Sequence, residues 1–105
     1  MTYDIEKLIR YLDGLVDIKE IDDNEFSTWI SGKFRSKLNT DFTIDKFTDE
    51  NYYYVTIDSY FHWANSNSKI KSLDEVQSFI KDVNICLNNI EKSYAEFSRV
   101  LQRHT

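Results

Sequence analysis

The chain of 105 residues has no proline, two glycines and a single cysteine. Without proline-rich or glycine-rich stretches the sequence contains no long turn-rich linker. We therefore expect residues 1–105 to fold as a single domain with one hydrophobic core. The single cysteine, Cys86, excludes an intramolecular disulfide and a cysteine-based metal cluster.

Long apolar runs are also missing. No run approaches the roughly 18 residues that a helix needs to cross a bilayer, so we expect no membrane partner. The N-terminal segment lacks the apolar core of a signal peptide, because charged residues interrupt its apolar pattern at Asp4, Glu6, Lys7 and Arg10. We therefore expect a cytoplasmic protein.

The charge balance is acidic, with 13 basic and 18 acidic side chains and a net charge of −5. Two acidic segments, 13–25 and 41–58, flank a short basic segment at 26–40. An acidic chain repels phosphate backbones, so we expect no direct binding of nucleic acid. The partner that this balance favours is a basic surface on another protein.

The first 40 residues predict two helices. Residues 3–13 place Ile5, Leu8, Ile9 and Leu12 on one helical face. Residues 15–21 are interpreted as a linker with some strand character, with a longer first helix as the alternative. Residues 23–38 predict the second helix, because their apolar side chains also follow a helical stripe, comprising Phe26, Trp29, Ile30, Phe34 and Leu38.

Residues 41–63 predict an antiparallel β-hairpin with a polar turn at 48–51. The second strand, 52–63, is rich in aromatic and β-branched residues, which favour strands. Its alternation predicts one face with Tyr53, Val55 and Ile57, and another with Tyr52, Tyr54, Asp58, Tyr60 and His62. A two-stranded hairpin is marginal alone, so it must pack on helices or gain a third strand.

A long amphipathic helix is predicted over about 73–103. The sequence Ser72-Leu73-Asp74-Glu75 is a capping box, which is typical of a helix start. The apolar residues that follow are spaced alternately by three and four, which is a heptad seam. A helix of this length is roughly 46 Å long, whereas a compact domain of this size is about 34 Å across. The predicted fold class is therefore α+β, with two N-terminal helices, a central hairpin and this helix.

No motif indicates catalysis or a bound cofactor. His62 and Asp58 share a strand face and could serve as a base and an orienting acid, but a histidine in the polar rim of a strand is the favoured interpretation. The acidic run 22–25 lacks the order of a calcium loop. We expect no enzyme activity, no metal and no cofactor.

The tyrosine face of the hairpin is the first candidate binding surface. Tyrosine is enriched at binding hot spots because it offers a large contact area and few rotamers. The alternative is that helices cover both sheet faces and bury these tyrosines. The predicted partner-binding residues are Tyr52, Tyr54, Tyr60, Asp58, Asp49 and Glu50.

The seam of the long helix is the second candidate surface. Its apolar residues either pack within the chain, or they pair with a second copy or with a helix of a partner protein. The predicted self-association residues are Val83, Leu87, Ile90, Tyr94, Phe97 and Leu101.

In composition the chain is similar to toxin-immunity proteins and to phage-encoded inhibitors of host defence: it is acidic, rich in tyrosine and about a hundred residues long. Abundant Ile, Asn, Lys and Tyr are typical of an AT-rich bacterial or phage gene. The leading hypothesis is a protein-binding inhibitor or immunity-type protein that occludes a basic surface, for example on a nuclease or a nucleic-acid-binding enzyme. The alternative is an oligomeric structural or adaptor protein that acts through its heptad helix.

Overall fold

The computed structural model describes residues 1–59 and 66–103 of the chain. This part of the chain is α+β, with a short N-terminal helix, a five-stranded sheet and a long C-terminal helix. In chain order the elements are α1 (Tyr3–Asp13), β1 (Val16–Asp23), β2 (Ser27–Phe34), β3 (Thr40–Phe47), β4 (Tyr53–Ser59), β5 (Ser66–Ile70) and α2 (Leu73–Arg103).

The described strands form one antiparallel sheet, in which each strand pairs with the next along the chain. The register places Ile30 of β2 beside Ile44 of β3, and Ile44 beside Val55 of β4. Because cross-strand neighbours point to the same side, these apolar residues share one face of the sheet. We call it the core face, and the opposite side the open face.

Both helices pack against the core face. Their buried side chains are Ile5, Leu8 and Leu12 of α1 and Val76, Ile80 and Leu87 of α2. These side chains form one cluster with the apolar residues of the central strands. The two helices also contact each other directly, since the Tyr11 hydroxyl donates a hydrogen bond of 3.2 Å to the carbonyl oxygen of Gln77.

The predicted second helix at 23–38 is wrong, because residues Ser27–Phe34 form strand β2. Ile30 and Phe34 are four residues apart, a spacing that fits one face of a helix and one face of a strand equally. The polar residues expected to start a helix instead reverse the chain. The Asn24 side chain accepts hydrogen bonds from the backbone N–H groups of Phe26 (2.8 Å) and Ser27 (3.1 Å), which is an Asx turn.

The predicted hairpin is present in β3 and β4, and it is part of a larger sheet. Most of the segment 15–21, interpreted as a linker with strand character, belongs to β1. Ser66–Ile70, which follow the predicted hairpin in the chain, form β5. The predicted second strand ran to residue 63, and its last four residues lie outside the described part of the chain. The added strands meet the requirement that a hairpin gains partners in order to be stable.

The long helix α2 is confirmed over Leu73–Arg103. One half of the predicted capping box is formed, since the backbone N–H of Glu75 donates a hydrogen bond of 3.2 Å to the Ser72 hydroxyl oxygen. The buried residues of α2 end at Leu87, so the rest of the helix extends past the core. The molecule is accordingly elongated, at 59 × 24 × 21 Å.

The β2–β3 loop is tied to α2 where the helix leaves the core. The Glu91 carboxylate accepts a hydrogen bond of 2.8 Å from the Ser36 hydroxyl and another from the backbone N–H of Lys37. These hydrogen bonds stabilise the ionised form and lower the pKa of Glu91 below its ordinary value.

Candidate functional site: the open face of the sheet

The open face lies on the side of the sheet opposite both helices. Its side chains are those that alternate with the core residues, and in the three central strands they are half-buried by one another. The strand register arranges them in three rows that run across the strands. One row is aromatic, one carries hydroxyl groups and one is mainly acidic.

The aromatic row crosses all five described strands. In strand order it consists of Asp22, Trp29, Asp45, Tyr54 and Lys69, each directly opposite the next. Directly opposed side chains on one face lie about 5 Å apart at their Cβ atoms. The carboxylate of Asp45 therefore lies between the indole of Trp29 and the phenol of Tyr54.

Further aromatic side chains adjoin this row. The ring of Phe47 meets that of Tyr54 edge to face, at 5.8 Å between centroids, and Phe47 is 41% exposed. The Nζ atom of Lys69 lies 4.0 Å from the centroid of the Tyr52 ring, a cation–π contact. Four aromatic side chains of the described chain, from Trp29, Phe47, Tyr52 and Tyr54, thus lie near the same end of the open face, and we call them the aromatic cluster.

The β3–β4 turn holds this cluster in place. The Tyr54 hydroxyl donates a hydrogen bond to a carboxylate oxygen of Glu50, which raises the pKa of Tyr54 because the neutral phenol is the donor. The Lys46 ammonium donates hydrogen bonds to the carbonyl oxygens of Phe47 (2.7 Å) and Glu50. Tyr54 is therefore oriented before any partner arrives.

Asp45 is electrostatically unusual for a side chain on this face. Burial between its neighbours raises its pKa above the ordinary value. No described residue forms an ion pair or a side-chain hydrogen bond with it. The described part of the chain thus keeps a partly desolvated carboxylate beside aromatic side chains and forms no ion pair with it.

The acidic row lies near the other end of the strands. It consists of Asp17, Lys33, Asp41 and Asp58, again directly opposite one another. Asp17 is paired with the guanidinium of Arg35 at 2.9 Å. Asp41 and Asp58 are directly opposed like charges, an arrangement that destabilises a sheet.

The hydroxyl row separates the aromatic and acidic rows. Its central members are Ser31, Thr43 and Thr56, with Glu20 of β1 at its edge. In the described strands the open face carries six carboxylates and two lysines, namely Asp17, Glu20, Asp22, Asp41, Asp45 and Asp58 against Lys33 and Lys69. An acidic face with an aromatic cluster at one end can bind cationic side chains, by ion pairing and by cation–π contact.

Most of the predicted partner-binding residues belong to this face or adjoin it. Tyr54 and Asp58 lie on the open face of β4. Tyr52 belongs to the aromatic cluster, and Glu50 accepts the hydrogen bond of the Tyr54 hydroxyl. Asp49 is exposed in the β3–β4 turn. Tyr60 and His62 lie outside the described residues.

Trp29, Asp45 and Phe47 were not predicted as members of this site. Trp29 was placed in a helix, although it alternates with the buried residues Thr28 and Ile30, which is a period of two. Phe47 is out of phase with the buried Phe42 and Ile44 on β3, so its position on the opposite face was visible in the same alternation. Asp45, like Phe47, alternates with the buried residues of β3. This alternation was the only sequence feature that could have placed Asp45 on the open face.

The predicted self-association residues divide into two groups. Val83 is half-buried against the core and Leu87 is 3% exposed within it, so these two belong to the chain's own packing. The other four residues are exposed, namely Ile90, Tyr94, Phe97 and Leu101.

Among residues 1–59 and 66–103, no three His, Cys, Asp or Glu side chains converge on a point where a metal ion could be held. Within the same ranges, neither helix combines the length and the apolar character that crossing a bilayer requires.

Comparison with protein-family models, with curated proteins and with solved structures finds no match to this chain.

Proposed function

We propose that this protein is a protein-binding module whose open face covers a basic surface of another protein, in the manner of an inhibitor or immunity-type protein. The observation that carries the proposal is the position of Asp45, a partly desolvated carboxylate between Trp29 and Tyr54 with no cation from the described chain. An arginine or lysine of the partner would supply the missing charge.

The aromatic cluster supports this role through its contact area. Aromatic side chains and arginine are the residues most enriched at binding hot spots, where a few well-packed groups carry most of the affinity. The Tyr54 ring is already oriented by the hydrogen bond of its hydroxyl to Glu50. It would lose little conformational entropy on binding, which favours affinity.

The acidic row supports a basic partner over a neutral one. Asp41 and Asp58 repel each other in the isolated protein, and a cation placed between them would relieve that repulsion. Nucleases and nucleic-acid-binding enzymes use lysine and arginine to contact phosphates. A face that binds those same side chains would exclude the nucleic acid and inhibit such an enzyme.

We expect the open face to act by binding and not by catalysis. The open face offers carboxylates, hydroxyl groups and aromatic rings at the surface of a sheet, and its chemistry suits recognition by charge and contact area. A partner that is covered by this face would lose its activity by occlusion.

The test begins with capture of partners by the tagged full-length chain from lysate of the host that carries the gene. Captured proteins are identified by mass spectrometry and then purified, and their affinity is measured by calorimetry at low and high salt. We expect one partner with a basic surface. Its affinity should fall as salt rises, because ion pairs at an interface are screened.

Substitutions on the open face identify the surface that binds. We expect Tyr54→Ala and Asp45→Asn each to weaken binding at least about tenfold, as substitutions of central interface residues do. The matched control is Phe26→Ala, which removes an aromatic side chain that is 72% exposed and lies outside the open face. Unchanged affinity in the Tyr54 and Asp45 variants, or a partner that binds equally well at all salt concentrations, would refute the proposal.

A further inference from the structure

The heptad seam of α2 continues beyond the point where the chain's own core ends. Its first half packs on the sheet and α1, with Val76, Ile80 and Leu87 almost fully buried. Its second half has the same spacing, and the apolar side chains of that half are exposed. We call residues 88–103 the free segment; at 1.5 Å per residue it is about 24 Å long.

The exposed residues of the free segment are large and apolar. Ile90, Tyr94, Phe97 and Leu101 are 40%, 69%, 60% and 51% exposed. They follow Leu87 at intervals of three and four, so they lie on approximately the same helix face as the buried half of the seam. A partner that covers these residues must therefore lie on the same side of α2 as the sheet, but beyond Leu87, where the chain's own core ends.

We propose that two copies of this chain associate through their free segments, packed antiparallel. Ile90 of each copy then faces Leu101 of the other, and Tyr94 faces Phe97. This association is independent of what the open face binds.

The position of the chain's own core determines the orientation. In a parallel pair in register, residues 73–87 of both helices would face each other about 8–10 Å apart. That space is already filled in each copy by the sheet and α1, which pack against the same residues. An antiparallel pair overlaps the parts of the helices that follow Leu87, where the β2–β3 loop contacts α2 at Glu91, and keeps the two cores at opposite ends.

The heptad register determines which residues meet. In antiparallel pairs the first apolar position of one heptad faces the second apolar position of the other helix. Aligning Tyr94 with Phe97 satisfies this rule and aligns Ile90 with Leu101. The same alignment overlaps residues 88–103 of one copy with 103–88 of the other, so the whole free segment is used and neither helix enters the other core.

The contact area and the charges are compatible with a dimer of modest affinity. Aromatic side chains bury about 150–250 Å² each when they are fully covered. Tyr94 and Phe97 are already partly covered and Ile90 and Leu101 are smaller, so the four residues of two copies would bury at most roughly 1,000 Å², near the lower limit for specific association. The free segment has three bases and two acids, hence a net charge of +1, which leaves −6 for the rest of the chain. The antiparallel arrangement brings the C-terminal end of each free segment, which carries Arg99 and Arg103, near the acidic folded body of the other copy.

The oligomeric state is tested by sedimentation equilibrium of the full chain from about 5 to about 500 µM, where a dimer of modest affinity dissociates measurably. We expect a monomer–dimer equilibrium that Phe97→Glu shifts at least tenfold toward monomer. The matched control, Phe26→Glu, places the same charge at an exposed phenylalanine far from α2 in sequence and should leave the equilibrium unchanged. Circular dichroism verifies that both variants are folded.

The orientation is tested by disulfide trapping in a Cys86→Ser background. Ile90→Cys and Leu101→Cys are made as separate variants and oxidised alone or mixed. The antiparallel register predicts a covalent dimer in the mixture and little in either variant alone. Dimers of each variant alone would indicate parallel packing and overturn the proposal, as would a monomer at every concentration or an equilibrium that Phe97→Glu leaves unchanged.

Discussion

Asp45 combines a stability penalty with a surface position. Its pKa is raised by burial, so the folded state favours the protonated form and the ionised form destabilises the protein. A carboxylate that served folding alone would have a cation or a hydrogen-bond donor beside it. Its neighbours across the strands are instead Trp29 and Tyr54, which supports a role in binding.

We expect Asp45→Asn to raise the melting temperature at about pH 7, because asparagine has nearly the same shape and no charge to desolvate. The folded-state pKa of Asp45 lies above its unfolded value, so the penalty is present at neutral pH and disappears as pH falls below both values. The gain should therefore vanish near pH 3. Thermal melts of both proteins at the two pH values measure it.

The matched control is Asp22→Asn, on an exposed edge position that is the other cross-strand neighbour of Trp29. It should change the melting temperature little at either pH. A variant Asp45→Asn that is less stable than the parent at neutral pH would mean that the carboxylate has a stabilising partner. Loss of binding together with a gain in stability would identify Asp45 as a residue retained for function.

At the scale of elements, the close approach of β1, β2 and β3 depends on one glycine. Gly32 lies opposite Ile18 of β1 and Phe42 of β3. A Cβ atom at this position would lie 2.3 Å from the backbone oxygen of Asp17 and 2.9 Å from the Phe42 ring. Gly32 lies within the segment 23–38 that the sequence predicted as a helix, and in the structure it is a contact point between three strands.

We expect Gly32→Ala to lower the free energy of unfolding by about 1–3 kcal/mol, as overpacking of a core does. The matched control is Gly14→Ala at the end of α1. Its Cβ would meet only the Tyr11 carbonyl oxygen at an ordinary 3.6 Å, and its φ of −80° suits alanine, so it should be neutral or slightly stabilising. Urea denaturation of both variants measures the difference, and equal stabilities would contradict this account of the β1–β2–β3 packing.

Elements differ in how far local pattern predicted them. α2 was predictable because a capping box and nine apolar residues at heptad spacing agree over its whole length. β3 and β4 were predictable from strict alternation. β2 was not, because Trp29, Ile30 and Phe34 satisfy helical spacing, and only pairing with β1 and β3 selects the strand.

At the scale of the whole molecule, the core and the free segment of α2 are structurally separate. The buried residues of α2 end at Leu87, and Glu91 ties the following turn of the helix to Ser36 and Lys37. Stability and self-association should therefore be separable by shortening the chain.

We expect a chain that ends at Ala95 to keep its melting temperature within about 4 °C of the full chain. The measurement is made at about 1 µM, where dimer formation contributes little to stability. The same shortened chain should sediment as a monomer at high concentration. A large fall in melting temperature would show that the free segment packs on the core, which would contradict the proposed separation.

The sequence by itself determined what depends on neighbours along the chain: the start and length of α2, the alternating faces of β3 and β4, and the absence of a disulfide. Only the tertiary structure decided what depends on distant segments meeting. It made 27–34 a strand, placed both helices on one sheet face so that Tyr54 and Asp45 remained at the other, and covered the seam of α2 only as far as Leu87. The periodicity of apolar residues in the sequence identifies an apolar face of a helix or strand. Which surface covers that face depends on how the elements pack together in the tertiary structure.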